Sequence, residues 1–157
     1  MRPGVDHPAM RLTSPAFGDG ERIPRRFGYT EANVNPPLAV WGVPDEAASL
    51  ALVVDDPDAV EPAGKVWDHW LVWNIPPGSE TLPEGWPATG AVEGQNDYGD
   101  RGYGGPNPPD GEHTYRFRLY ALDGSLDLSP GATGDELDDA IAGRVVEETV
   151  LTGTYAP

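Results

Sequence analysis

The chain has 157 residues with 20 glycines and 18 prolines, a length typical of one domain and a composition that favours turns over a helical bundle. With 26 acidic and 10 basic residues, its net charge of −16 argues against a nucleic-acid partner and against stable membrane association. It contains no cysteine, which excludes disulfides, thiolate metal sites and a cysteine nucleophile.

The N-terminal segment and the hydropathy of the chain bear on location. Residues 1–9 contain no apolar run of the kind found in signal peptides, and no stretch approaches the ~18 apolar residues of a membrane span. We therefore expect a flexible tail at residues 1–9, with Met10 as an alternative start, one domain at residues 10–157, and a cytoplasmic location.

Apolar and β-branched runs between glycines and prolines predict strands. The predicted strands are at residues 37–43, 49–54, 69–75, 114–122 and 150–155. Segment 50–54 is nearly all apolar, which is typical of a central strand covered on both faces. In segment 114–122 the side chains alternate, and we expect one buried face and one outer face. The expected buried face is Tyr115, Phe117 and Leu119, and the outer face is Arg116, Arg118 and Tyr120.

One helix is predicted near the C-terminus. Thr133 and Glu136 have the spacing of a capping box, in which both side chains bind free backbone N–H groups of the first turn. Apolar residues then recur at helical spacing, and they are Leu137, Ala140, Ile141 and Val145.

Residues 76–111 are rich in glycine and proline and show hardly any periodicity. A long irregular stretch in a compact domain is usually a functional loop or disorder. Because this stretch includes Tyr98, Arg101 and Tyr103 as anchors, we expect an ordered loop that covers a site.

Two of the three histidines open predicted strands next to loops. Either His69 or His113 alone could be a structural residue bonded to a loop carbonyl, but two in the same kind of position favour a site. Asp55–Asp58 follow a buried strand in a turn made rigid by Pro57. Their carboxylates could accept backbone N–H groups, or one could orient a histidine so that its imidazole donates to an anion.

Catalytic and metal-binding motifs are not found. The histidines lack the close spacing of H-x-x-x-H, and the chain has neither a G-x-S-x-G motif nor a P-loop. We therefore assign no metal ligand, no catalytic residue and no cofactor.

Four blocks of sequence resemble the phosphatidylethanolamine-binding (Raf-kinase-inhibitor-like) family, in particular its compact bacterial and archaeal branch. They are Asp56-Pro-Asp-Ala, residues 67–76 (WDHWLVWNIP), residues 102–111 (GYGGPNPPDG) and His113-Thr-Tyr. The likeness extends from Leu12 to Tyr155. It implies a mostly-β, antiparallel β-sandwich-like fold with a C-terminal helix and a small cavity for phosphate, acetate or a phospholipid head group.

Transferred residue by residue, the resemblance implies a ligand-binding set in these blocks. The set is Asp56, Asp58, Trp67, His69, Gly105, Pro109, His113 and Tyr115. We expect a protein that binds a small anion such as phosphate or acetate, has a regulatory or inhibitor-like role, and is not an enzyme. The alternatives are a phosphoester-processing enzyme that uses the histidines and carboxylates, and a protein that inhibits a protein target through residues 98–109.

The acidic composition also predicts salt-dependent stability. Lys65 is the one lysine among the ten basic residues, which favours a halophilic source in which salt screens the repulsion between carboxylates. Lowering KCl from about 2 M to about 0.05 M should therefore reduce the melting temperature by many degrees, because the Debye length grows from a few Å to more than 10 Å. A melting temperature that is the same at both salt concentrations would contradict the halophilic interpretation.

Overall fold

The structure, a computed structural model, describes residues 9–157, so the tail expected at residues 1–9 lies, except for Ala9, outside the described residues. Within this range the chain forms nine strands and two short helices. The strands are β1 (Arg11–Thr13), β2 (Glu21–Arg22), β3 (Leu38–Trp41), β4 (Ser49–Asp56), β5 (Trp67–Ile75), β6 (Thr81–Leu82), β7 (Val92–Glu93), β8 (His113–Leu122) and β9 (Val145–Tyr155). The helices are α1 (Val60–Ala63) and α2 (Gly134–Ile141), and 3₁₀ turns lie at Arg25–Phe27 and Pro57–Ala59. No helix among residues 9–157 has the length and hydropathy needed to span a bilayer.

The strands form two sheets that confirm the predicted mostly-β, sandwich-like fold. The larger sheet has six strands in the order β2-β9-β8-β4-β5-β7, and the smaller has three in the order β1-β3-β6. All the pairings are antiparallel except that of β2 with β9. The main hydrophobic cluster lies between the two sheets, and a second cluster lies between the larger sheet and α2.

Strand β4 is the central element, as its apolar sequence predicted. Leu50, Leu52 and Val54 pack into the main cluster between the sheets, whereas Ala51 and Val53 pack into the cluster beneath α2. All eight residues of β4 are buried, since the strand has a neighbour on each side and a layer on each face.

Strand β8 differs from its prediction on one face. Phe117 is 1% exposed, as expected, but Tyr120 is also buried because the second cluster covers that end of the outer face. The prediction of a single buried face was therefore wrong at Tyr120. Arg116 and Arg118 do lie on the outer face, where the Arg116 Nε and the Arg118 Nη2 each donate to buried Asp55 at 2.8 Å.

Helix α2 begins as predicted and ends earlier. The Thr133 hydroxyl accepts from the Glu136 N–H, and the Glu136 carboxylate accepts from the Thr133 N–H, which confirms the capping box. The helix ends at Ile141, and Gly143 has a φ of +79°, a left-handed conformation common after helix ends. Val145 was wrongly placed on the helix, because it begins β9 and is 42% exposed.

The loop that connects β7 to β8 is fastened to the rest of the domain by backbone and side-chain hydrogen bonds. The Tyr103 hydroxyl donates to the Phe27 carbonyl, and the Gly104 N–H donates to the His69 carbonyl, each at 2.8 Å. The Gly105 N–H donates to Asn33 Oδ1, also at 2.8 Å. Of the three expected anchors in this loop, Tyr98 and Tyr103 are partly buried and Arg101 is exposed.

The close contact at Gly105 makes a substitution there costly. A Cβ atom at this position would overlap the backbone of residues 27–29, and the nearest atom is the Phe27 carbonyl oxygen. Gly105→Ala should therefore lower the free energy of unfolding by about 1–3 kcal/mol, measured by urea denaturation. Gly78→Ala is the matched control, because a Cβ there would meet no atom within 4 Å, and it should change stability by less than about 1 kcal/mol. Equal destabilisation by the two substitutions would contradict this account of the loop.

Candidate ligand-binding site

The candidate site lies at one edge of the larger sheet, where β4 ends and its two neighbours begin. Because β4 is antiparallel to both β5 and β8, its last residues pair with the first residues of each. Asp56 pairs with Trp67 at the start of β5, and Asp55 pairs with Arg116 near the start of β8. Sequence blocks far apart in the chain are thereby brought together.

A cavity of about 160 Å³ lies at this edge of the sheet. It is lined by Asp56, Ala59, Pro62, Ala63, Trp67, His69, Tyr98, Asn107, Pro108, Pro109 and Tyr115. Five of the eight residues predicted to bind ligand are in this lining: Asp56, Trp67, His69, Pro109 and Tyr115.

The other three predicted residues lie next to the cavity wall rather than on it. The Asp58 carboxylate accepts the Thr114 N–H at 2.9 Å and so ties the 3₁₀ turn to β8. Gly105 allows the close approach of its loop to residues 27–29. His113 does not line the cavity, but it contacts the carboxylate of Asp56, and Asp56 does line it.

His113 is held between two carboxylates. Its Nδ1 lies 2.5 Å from Asp56 Oδ2, and its Nε2 lies 2.6 Å from Asp110 Oδ1. Burial works to lower the pKa of His113, but the hydrogen bonds and negative charges of Asp56 and Asp110 outweigh it, so the pKa is above its ordinary value. The protonated ring donates from both nitrogens, which leaves no N–H of His113 for a ligand.

Asp56 combines the two roles that the sequence left open for this turn. Its Oδ1 accepts the Asp58 N–H at 2.9 Å, which stabilises the start of the 3₁₀ turn. Its Oδ2 faces His113, as expected of a carboxylate that orients an imidazole. Both carboxylate oxygens of Asp56 therefore have partners within the protein.

His69 is neutral and presents an acceptor. The side chain is buried, and its Nδ1 lies 2.8 Å from the Gly104 carbonyl oxygen, which can only accept, so Nδ1 carries the proton. Burial lowers the pKa of His69 despite that hydrogen bond and the nearby charge of Asp56. The Nε2 atom of this tautomer keeps its lone pair.

Two donors on the cavity wall have no partner. The Tyr115 hydroxyl and Trp67 Nε1 are buried from solvent and make no hydrogen bond of ordinary geometry within residues 9–157, although the Tyr115 hydroxyl lies near the Asp56 carboxylate and the Asn107 backbone. Burial, followed by the negative charge of Asp56, raises the pKa of Tyr115 above its ordinary value, so its hydroxyl remains protonated. An unsatisfied buried polar group costs about 1–3 kcal/mol.

An aromatic side chain that the predicted set omitted completes the wall. Tyr98 stacks on Tyr29 with ring centroids 3.9 Å apart and 7° between the planes, and it meets Trp67 and His69 edge to face. The Tyr98 hydroxyl donates to the Gly105 carbonyl at 2.8 Å. The sequence marked Tyr98 only as a loop anchor, and it gave no signal for α1, which supplies Pro62 and Ala63 to the wall.

The cavity surface is mainly apolar and aromatic, with Asp56 and His69 among its polar side chains, and the Tyr115 hydroxyl and Trp67 Nε1 are buried from solvent in its wall. Within residues 9–157, no group of three or more His, Cys, Asp or Glu side chains is arranged to hold a metal ion. The chemistry available is hydrogen bonding to a small polar group, with an apolar and aromatic surround.

The pKa values of the two buried histidines should be shifted in opposite directions from the ordinary value of about 6.5. Because the folded pKa of His113 is raised, its contribution to stability is present below pH 6.5 and is lost as the pH rises through that folded value. Because the folded pKa of His69 is lowered, its contribution is present above pH 6.5 and is lost as the pH falls. NMR titration of the ring resonances, assigned with His69→Gln and His113→Gln, should show one midpoint on each side of 6.5. Coincident midpoints would contradict the assignment.

Comparison with known proteins places this chain in a family. A family model described as phosphatidylethanolamine-binding protein matches residues 13–156. A UPF0098 protein of Methanothermobacter thermautotrophicus is 50% identical over 151 residues, which cover 93% of this chain and 98% of that protein. A Mycobacterium tuberculosis relative, 46% identical over 93% of this chain and 72% of its own length, is named as a candidate lipoprotein, LppC.

Solved structures agree with the sequence relatives. The homologue CT736 from Chlamydia trachomatis superposes with a TM-score of 0.89 at 41% identity, covering 94% of this chain and 97% of that one. Escherichia coli YbcL, described as a member of the mammalian family, gives a TM-score of 0.87 at 31% identity, covering 94% and 98%. The motif-based resemblance is confirmed, and the chain belongs to the phosphatidylethanolamine-binding protein family, among its bacterial and archaeal members.

Proposed function

We propose that this protein binds a small phosphate-like anion in the cavity beside His69 and Tyr115, and that it acts as a regulatory or inhibitor-like binding protein. The observation that carries the proposal is the pair of unpartnered buried donors, the Tyr115 hydroxyl and Trp67 Nε1. Phosphate oxygens accept hydrogen bonds strongly, so a phosphate that reached these two buried donors would satisfy both.

In this proposal His113 lies behind the cavity wall and holds Asp56, which lines the cavity. The positive charge of His113 is shared between Asp56 and Asp110, so it offsets their negative charges rather than that of a ligand. The ligand is then held by neutral donors, which differs from the direct contact with His113 expected from the sequence. Asp56 remains essential because it fixes the turn that carries α1 to the cavity.

Binding is favoured over catalysis by the state of the polar groups. The Tyr115 hydroxyl, with its raised pKa, is a donor and not a nucleophile. Both ring nitrogens of His113 face carboxylates, so this histidine is not placed to exchange a proton with a bound phosphoester.

The proposal extends to partners and location. A net charge of −16 disfavours nucleic acid and anionic lipid surfaces, so we propose a soluble ligand and a protein target in the cytoplasm of a salt-adapted cell. The family's description names phosphatidylethanolamine, whose head group contains a phosphate. A cavity of about 160 Å³ has room for such a head group but not for acyl chains.

Phosphate should raise the melting temperature of the protein, and Tyr115→Phe should reduce that gain. At 100 times its dissociation constant, a ligand stabilises the folded state by about 2.7 kcal/mol. Tyr115→Phe removes a donor that has no partner within the protein, so without phosphate the variant should be as stable as the wild type or more so. The measurement is differential scanning fluorimetry with increasing phosphate at constant high ionic strength.

Tyr103→Phe is the matched control for this experiment. The Tyr103 hydroxyl donates to the Phe27 carbonyl and does not line the cavity, so its loss should lower stability by about 1 kcal/mol and leave the phosphate response intact. If phosphate stabilises the Tyr115→Phe variant as much as the wild type, the proposed site is wrong. Release of phosphate from a generic phosphoester would favour an enzyme instead.

A further inference from the structure

One long strand of the larger sheet is left without a neighbour on one side. Strand β9 pairs with β8 along its length, but on its other side β2 covers only Gly153 and Thr154. Within residues 9–157, no other strand pairs with that side of β9. An uncovered strand presents N–H and C=O groups to which another chain can add a strand. We call residues 145–151 the open edge.

The backbone groups that face outward from the open edge can be identified from Thr152. Its N–H donates to Asp19 Oδ1 at 2.8 Å and its carbonyl accepts from the Gly20 N–H at 2.9 Å, so both groups point away from β8. Residues two apart in an antiparallel strand turn these groups to the same side, and the register with β8 is regular over this part of β9. The N–H and C=O groups of Glu148 and Val150 therefore point outward as well.

The side chains of the open edge are rich in exposed valine. Within residues 9–157 five large apolar side chains are exposed, and three of them are Val145, Val146 and Val150, at 42, 39 and 44%. A cavity of about 560 Å³ adjoins the start of the edge, and it is lined by Gly42, Val43, Pro44, Asp45, Glu46, Val146 and Glu147. The open edge contains no proline and no lysine, the residues that commonly protect an edge strand from pairing.

We propose that the open edge is a docking surface for an extended, basic segment of a protein partner, which adds to the sheet as a strand beside β9. Backbone hydrogen bonds to Glu148 and Val150 would hold the segment, and its alternate side chains would meet the valines and the carboxylates. The inference does not depend on the cavity beside His69. Val145 pairs with Leu122, so the open edge begins at the end of the sheet opposite that cavity.

The charge of this surface favours a basic partner over a second copy of the chain. The carboxylates at the open edge and in the adjoining cavity are Asp45, Glu46, Glu147 and Glu148. Arg144, which precedes the edge, and Arg118, opposite Val150, each lie within 4.0 Å of another carboxylate. A second copy would bring the same carboxylates and a further net charge of −16, whereas lysine or arginine side chains would be attracted.

The test uses the peptide Lys-Val-Lys-Val-Lys-Val-Lys, blocked at both ends, and two N-methylated forms of it. One form is methylated at every valine nitrogen and the other at every lysine nitrogen. In an added strand only one of these sets of N–H groups faces β9. One methylated form should therefore bind at least tenfold more weakly than the parent peptide, and the other should bind within a few-fold of it. Affinities are measured by isothermal titration calorimetry at a fixed ionic strength of about 0.15 M, where the Debye length is about 8 Å.

Three results of this titration would overturn the proposal. Equal binding by the two methylated forms would indicate attraction between charges without strand addition. Equal binding by a peptide with glutamate in place of lysine would remove the argument for a basic partner. Failure of the parent peptide to bind would show that the open edge does not accept a basic strand.

Amide hydrogen exchange, followed by NMR, locates the contact. In the free protein the amides of Glu148 and Val150 should exchange quickly, and those of Thr149 and Leu151, which face β8, should exchange slowly. The parent peptide should slow exchange at Glu148 and Val150. Slow exchange at these two amides in the free protein would mean that the edge is already occupied, by a second copy if the protection grows with protein concentration and within the chain if it does not. Either result would overturn the proposal.

Two variants test the surface itself. Val150→Pro removes an outward N–H that β8 does not use, and Glu148→Lys reverses an exposed charge without touching the backbone. Val150→Pro should weaken the parent peptide at least tenfold and Glu148→Lys several-fold, and the second variant keeps the test valid if the first does not fold. Glu61→Lys, the same change of charge on exposed α1, is the matched control and should alter the affinity by less than about twofold. Equal weakening by Glu148→Lys and Glu61→Lys would contradict the proposal. Phosphate should still stabilise Glu148→Lys, so failure of this inference and failure of the proposed function are separate results.

Discussion

Strand β4 has a hydrogen-bonded neighbour on each side, and it runs antiparallel to both. Its last residue, Asp56, therefore ends at the edge of the sheet at which β5 and β8 begin, and those two strands supply Trp67, His69, His113 and Tyr115. The positions of these side chains follow from this pairing, whereas Tyr98 and Asn107 come from the loop between β7 and β8. The burial of β4 on both faces keeps the pairing fixed, because slipping the register by one residue would exchange the residues that face the two clusters.

The polar groups at this edge are arranged as two layers with different protonation. His69 lies at the cavity against a backbone carbonyl, whereas charged His113 lies behind the cavity wall between Asp56, which lines the cavity, and Asp110. The pKa values of the two histidines thus differ because His69 lies against a carbonyl in apolar surroundings and His113 lies against two carboxylates. The charge of His113 offsets one of the two carboxylate charges beside it, inside a protein with a net charge of −16.

The sequence carried most of the fold and part of the site. Strand β4 was predictable from its uninterrupted apolar run and α2 from the capping box at Thr133, because both signals are local. The burial of Tyr120 and the early end of α2 were not predictable, since they depend on which element covers the outer face of the sheet. Tyr98 was missed because its role comes from stacking on Tyr29, 69 positions earlier in the chain. The sequence did not predict that His113 lies between two carboxylates, because the motifs did not single out Asp110 as its second partner.

The sequence separation within the cavity has a consequence for how the protein acquires it. Asp56 and His113 are 57 positions apart, and the Tyr103 hydroxyl reaches a carbonyl 76 positions away. Contacts of this range require large loops to close, so they form slowly and together with the sheet as a whole. A nascent or partly unfolded chain has no cavity, and a fragment that lacks either β4 or β8 cannot rebuild one. Under the proposed function, ligand binding would therefore be expected only of a completely folded domain.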